Sequence, residues 1–116
     1  MVVGILSDTD VDRVFQALAD STRRDIVTRV IRGEQSVSEL AAHYAMSFAA
    51  VQKHVAVLER AALVRKQRRG RQQIVSGNLP TIRKAAGLLD EYEELWRQRA
   101  DRIGDILAES RKPKEG

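Results

Sequence analysis

Five cations, Arg65, Lys66, Arg68, Arg69 and Arg71, fall within seven residues. Side chains of this kind suit phosphate oxygens, which accept the forked N–H donors of a guanidinium in pairs. From Ser47 to Lys84 the chain carries nine Lys or Arg against one acid, Glu59, a local charge of +8 in a chain of net +4. The remainder is therefore acidic, so a polyanion is attracted to one central stretch and repelled elsewhere. Taken alone, the basic run also fits a solvated loop. Other chemistry is poorly supplied. The sequence has no Cys, which removes disulfides and thiolate metal sites. Of its two histidines, His43 has no carboxylate at metal-ligand spacing and reads as a surface residue. His54 lies beside Val55 on the core-facing side of its helix, where a positioning role near the backbone is expected. There is no nucleophile elbow, glycine-rich phosphate loop or paired His, so an enzyme is not expected.

The elements that hold these residues can be read from composition and periodicity. With 116 residues, 43% of them hydrophobic and only 4% aromatic, a single domain over 1–116 is expected, mainly helical and cored by Leu, Ile, Val and Ala. Val11, Val14, Phe15, Leu18 and Ala19 mark one face of a helix from Asp10 to Asp20. A second helix runs from Ser21 to Arg32, stopped at Gly33. Arg23 and Arg24 in its first turn oppose the helix dipole, so either a phosphate or pairing with Asp20 or Asp25 must compensate. Ser36-Val37-Ser38-Glu39 has the form of a capping box and opens a short helix to Tyr44. After a break at Ala45-Met46, Ser47 caps a longer helix to about Arg60. Two capped helices so closely spaced form a helix-turn-helix signature.

Leu63 to Arg68 and Arg71 to Ser76 flank Arg69-Gly70 and predict a β-hairpin. Pro80 suits the first turn of a final helix, 81–110. Its apolar positions Ile82, Ala85, Ala86, Leu89, Tyr92, Leu95, Trp96, Ile103, Ile106 and Leu107 form a stripe about 45 Å long at 1.5 Å per residue. So small a globule cannot bury all of that face, and a second copy packed about a two-fold axis is the simplest cover. Val14, Leu18, Leu89, Tyr92, Leu95, Trp96 and Ile103 are assigned to this interface. Residues 1–9 and 111–116 are expected to be flexible. Met1 to Leu6 is too short for a signal peptide and no apolar run reaches the roughly 18 residues of a membrane span, so the cytoplasm is the expected location and no membrane partner is expected.

This order of elements resembles the ArsR/SmtB family of bacterial repressors. The matching text is Ala17-Leu18-Ala19-Asp20-Ser21-Thr22-Arg23-Arg24 with Ile26, then Ser38-Glu39-Leu40-Ala41. It continues through Met46 to Val64 in the pattern Ser-x-x-Ala-Val-x-x-His-Val-x-x-Leu-x-x-Ala-x-Leu-Val. The resemblance implies a homodimeric winged helix-turn-helix of order α-α-α-α-β-β-α that binds double-stranded DNA. It also implies that the helix opened by Ser47 enters the major groove. The residue types agree: Gln52 offers a bidentate pair to adenine and Lys53 a donor to guanine or phosphate. Ala49 is small enough for close approach, and Phe48 either meets a thymine methyl or packs into the turn. Ser47 serves as cap, phosphate ligand or both, with His54 and Arg23 completing the candidate DNA-binding set. The five basic hairpin residues would grip phosphates and an adjacent minor groove. Two-fold symmetry implies a near-palindromic site with half-sites about one DNA turn apart.

The chain departs from the family where metals are sensed. Members that sense metals use Cys near the first helix of the DNA-binding motif, or Asp and His pairs on the last helix. Here the last helix offers Asp90, Glu91, Glu93, Glu94, Asp101 and Asp105 but no His, and carboxylates alone hold Zn²⁺ or Ni²⁺ weakly. No metal and no cofactor is expected, while a small-molecule or protein effector remains open.

Overall fold

The computed structural model describes residues 7–111. Met1 to Leu6 and 112–116, both assigned to flexible ends from the sequence, lie outside the described residues. Helix α1 (Asp8–Leu18) is capped by Ser7, whose hydroxyl accepts the Asp10 N–H at 3.1 Å. Asp8 and Thr9, expected to be flexible, instead form its first turn, where the acids Asp8 and Asp10 favour the positive end of the helix dipole. Helix α2 (Ser21–Arg32) starts at Asp20, whose carboxylate accepts the Arg23 N–H at 3.0 Å. A two-residue strand β1 (Gln35–Ser36) leads into α3 (Val37–Ala41), and α4 (Phe48–Arg60) follows with Ser47 as cap. The hairpin is β2 (Val64–Arg69) and β3 (Gln72–Gly77), and α5 (Leu79–Arg111) closes the order, with Pro80 in its first turn as expected.

The predicted capping box is present in full. Ser36 Oγ accepts the Glu39 N–H at 3.0 Å and the Ser36 N–H donates to Glu39 Oε1 at 2.9 Å, and this second bond holds the Glu39 carboxyl below its ordinary pKa. Strand β1 was not expected. It pairs antiparallel with β3 (Gln35 opposite Val75, Ser36 opposite Ile74), so the sheet has three strands in the order β1-β3-β2. Two residues carry no readable alternation, which hides such a strand from periodicity. Helix α3 ends at Ala41 rather than Tyr44. The chain continues in tighter i to i−3 bonds, His43 N–H to Leu40 O and Tyr44 N–H to Ala41 O. The Tyr44 hydroxyl is drawn to Asp25 Oδ2 on α2 at 2.6 Å, a long-range bond that local sequence does not announce.

The core lies within residues 1–85, a compact unit of its own. Ile26, Val30, Leu40, Val51, Val55, Leu58, Leu63, Val64 and Val75 are buried there, with Ala85 of α5 beside them. Val14 requires a correction. It was assigned to a dimer interface, yet it is 0% exposed within the chain's own core, leaving no surface for a second copy. Leu18 packs, partly buried, against the same core. Periodicity showed that α1 has one apolar face without showing what covers it. Residues from Ala86 onward form a second unit, helical as far as Arg111, in which no side chain among 86–109 is buried.

Helix α4 ends in two nested bonds: Leu63 N–H donates to Leu58 O at 3.0 Å and Ala62 N–H to Glu59 O at 2.9 Å. This is a Schellman motif, whose geometry requires a left-handed residue after the cap, and Ala62 takes that position at φ 60°. An L side chain there costs about 1–2 kcal/mol relative to a right-handed conformation. Ala62→Gly removes that strain and adds some unfolded-chain entropy, so a net gain of about 0.5–1 kcal/mol is expected. Thermal denaturation reads it as a Tm higher by a few degrees; an unchanged or lower Tm refutes the strain.

Candidate nucleic-acid interface

Helix α4 is seated by Val51, Val55 and Leu58, all turned inward and buried. That seating leaves Phe48, Ala49, Gln52 and Lys53 exposed on the outer face of its N-terminal half. Phe48 is about half exposed, at 47%. Ser47 Oγ accepts the Ala50 N–H at 3.1 Å, which makes it the helix cap. Among the described residues no carboxylate lies within ion-pair distance of Lys53.

Arg23 behaves differently from its sequence-based assignment. Its Nε donates to Ala17 O at 2.7 Å and its Nη2 to Gln16 O at 3.1 Å, which also accepts the Ala19 N–H, so the guanidinium binds carbonyls at the C-terminal end of α1. Nη1 lies 3.3 Å from Nδ1 of His54. Arg24 does the same for Leu18 O at 2.7 Å. The positive charge at the start of α2 is thus met by the negative end of the preceding helix dipole together with the Asp20 carboxylate, one of the partners the sequence offered. With three of its nitrogens engaged inside the chain, Arg23 ties α1, α2 and α4 together. His54 Nδ1 is 3.9 Å from Asp20 Oδ2, so His54 sits where the sequence placed it, on the inner side of α4 beside other backbone-fixing groups. The Arg23 N–H, followed by the charges of Arg23 and His54, holds the Asp20 carboxyl below its ordinary pKa.

A second tie was missed from sequence. Asp25 Oδ2 accepts from Tyr44 Oη at 2.6 Å and from Arg29 Nε at 2.8 Å, and Arg29 lies 5.8 Å from the Tyr44 ring centroid. These two hydrogen bonds lower the Asp25 pKa, while burial and the same carboxylate push the Tyr44 phenol up to about 12. The cluster anchors the turn between α3 and α4 to α2 and so fixes how the outer face of α4 is presented.

The hairpin cations fall into two groups. Arg65, Arg68 and Arg71 are exposed, and among the described residues none has a carboxylate within ion-pair distance. The Nε of Arg68 donates to Gly70 O at 3.2 Å, within the turn that Gly70 makes at φ +61°. Lys66 and Arg69 are paired. Lys66 Nζ lies 3.7 Å from Glu59 Oε1. Arg69 grips Glu34 through both of its terminal nitrogens, Nη2 reaching Oε2 at 3.2 Å and Nη1 meeting Oε1, and this carboxylate raises the Arg69 pKa. Glu34 was not among the sequence-based site residues because 35 positions separate it from its partner.

Among the described residues no helix is long and apolar enough to cross a membrane, and no group of three or more His, Asp or Glu is gathered as a metal site would require. On the part 86–111, Leu89, Tyr92, Leu95, Trp96 and Ile103 are exposed, Trp96 at 68%. The guanidinium of Arg99 lies 6.0 Å from the Trp96 ring, and Arg97 pairs with Glu93 at 2.7 Å and Glu94 at 3.7 Å.

Two capped helices, the second with an exposed polar N-terminal face, followed by a cation-rich hairpin, define a winged helix-turn-helix DNA-binding module. Comparison with known proteins agrees. Residues 18–67 match the model of a helix-turn-helix domain. The HTH-type transcriptional regulator Rv2034 of Mycobacterium tuberculosis is 44% identical over 85 residues, which cover 73% of this chain and 77% of that protein. An ArsR-like transcriptional regulator from Rhodococcus sp. RHA1 superposes with a TM-score of 0.74 at 32% identity, over 84% of this chain and 92% of that one. The homodimeric winged helix-turn-helix DNA-binding domain of a possible ArsR-family regulator from Mycobacterium bovis superposes at 0.61 with 25% identity, over 77% and 89% respectively. This chain belongs to the ArsR family of winged helix-turn-helix transcriptional regulators.

Proposed function

We propose that the chain is a repressor that binds a near-palindromic operator as a homodimer and does so without a metal. The observation that carries this reading is the exposed face formed by Phe48, Ala49, Gln52 and Lys53 on a helix capped by Ser47, together with Arg65, Arg68 and Arg71 of the following hairpin, exposed and without a carboxylate partner among the described residues. Gln52 and Lys53 have the donors and acceptors to read base edges, and the three arginines supply phosphate contacts. A homodimer is supported by the exposed apolar residues between Leu89 and Ile103 and by the homodimeric state of the Mycobacterium bovis domain. Independence from metal is supported by the lack of Cys in the sequence and of His on α5. With metal ligands missing, an effector would be a small molecule or another protein.

Competition binding tests the reading. Purified protein titrated onto duplex from its own upstream region is expected to prefer that region to random duplex by three or more decades, with a symmetric footprint. Near-equal affinities would instead describe a protein that coats DNA without reading it. Replacing Gln52 and Lys53 by Ala is expected to collapse the preference towards that limit.

A further inference from the structure

Resting on the reading that the hairpin meets DNA, we propose that Glu34 is a resident competitor for Arg69, occupying the guanidinium that a phosphate would otherwise take and so holding down the sequence-independent part of DNA affinity.

The chemistry of the pair supports the substitution of one anion for another. A carboxylate and a phosphate offer a guanidinium the same thing, two oxygens spaced to accept parallel N–H donors. Arg69 has both terminal nitrogens committed to the two oxygens of Glu34. Glu34 lies between α2 and β1, outside the basic stretch from Ser47 to Lys84, and is brought to the hairpin only by the fold. Both side chains remain about half exposed, at 52% and 45%. A pair this open to water holds weakly and exchanges readily, as a competitor must. Lys66, with its single contact to Glu59 at 3.7 Å, is a looser instance of the same arrangement. Two of the five hairpin cations thus face acids of their own chain, while among the described residues Arg65, Arg68 and Arg71 do not.

Such an arrangement acts on specificity. Phosphate contacts strengthen binding to every sequence alike, so an arginine withheld from phosphates lowers the background without touching base readout. An operator that seats the hairpin closely can still recruit Arg69 from Glu34, whereas a loosely bound random site does not.

The test uses Glu34→Gln, which keeps size and removes charge, with binding to a random-sequence duplex of about 30 bp, long enough for half-sites one turn apart, followed across salt concentration. The expected result is tighter binding at low salt and a logarithmic salt slope steeper by about 0.9 per protomer, which widens the loss between 50 and 200 mM by roughly threefold for each arginine released. In the double variant E34Q/R69A the gain should vanish, returning slope and affinity to those of Arg69→Ala alone. An unchanged slope in E34Q, a weaker affinity, or a gain that survives in E34Q/R69A overturns the proposal. Failure of the underlying reading is separable: the parent chain would then show no salt-dependent duplex binding, or would keep it after Arg65, Arg68 and Arg71 are replaced.

Discussion

Replacing Arg65, Arg68 and Arg71 together by Ala is expected to cut affinity for any duplex by at least about a hundredfold at low salt. If each arginine neutralises one phosphate and two protomers bind together, six contacts disappear and the salt slope becomes shallower by about 5. Fold stability should barely move, because all three side chains are exposed and none has a carboxylate partner among the described residues. Arg69→Ala makes the internal contrast on random-sequence duplex: its guanidinium is already paired with Glu34, so its loss there should cost much less than the loss of any of the other three. Fluorescence anisotropy across a salt series checks both statements. Full affinity in the triple variant would remove the hairpin from the interface.

Exchanging Trp96 and Ile103 for Ala together is expected to convert a dimer to monomers. Both side chains are large, apolar and open to water, Trp96 at 68% and Ile103 at 48%. Aromatic residues of this kind dominate the energetics where two surfaces meet. The functional effect exceeds the loss of contact area. When two recognition units are joined, the second binds at a high effective concentration, and uncoupling them typically forfeits two to four decades of avidity, or about 10²–10⁴. Sedimentation should show the monomer and footprinting a lost or half-length protection. Intact dimers with full operator affinity would remove these residues from the interface.

The sequence disclosed the parts whose cause is local. Ser36 and Ser47 each satisfy backbone N–H groups within three residues, and the helices they open begin where these side chains predicted. The outer face of α4 was legible for the same reason, since Val51, Val55 and Leu58 recur at helical spacing and leave Gln52 and Lys53 outside. What escaped was set by distant partners. Tyr44, expected at the end of α3, lies beyond it and bonds Asp25, 19 positions away. Arg23 finds the carbonyls of Gln16 and Ala17 and the ring of His54 rather than an external anion. Glu34 neutralises an arginine that local charge counting left free. Val14 shows the converse limit, because an apolar face announces that it will be covered without naming the cover.

Ser36 belongs at once to the edge strand, where it stands opposite Ile74, and to the start of α3, whose amide it caps. No slack separates the sheet from the first helix of the DNA-binding motif. A tilt of the hairpin must therefore drag that helix with it, as two blades riveted at one pin share a rotation. An effector acting on the sheet would reach the first helix of the motif through this joint, with no loop between strand and helix to absorb the movement.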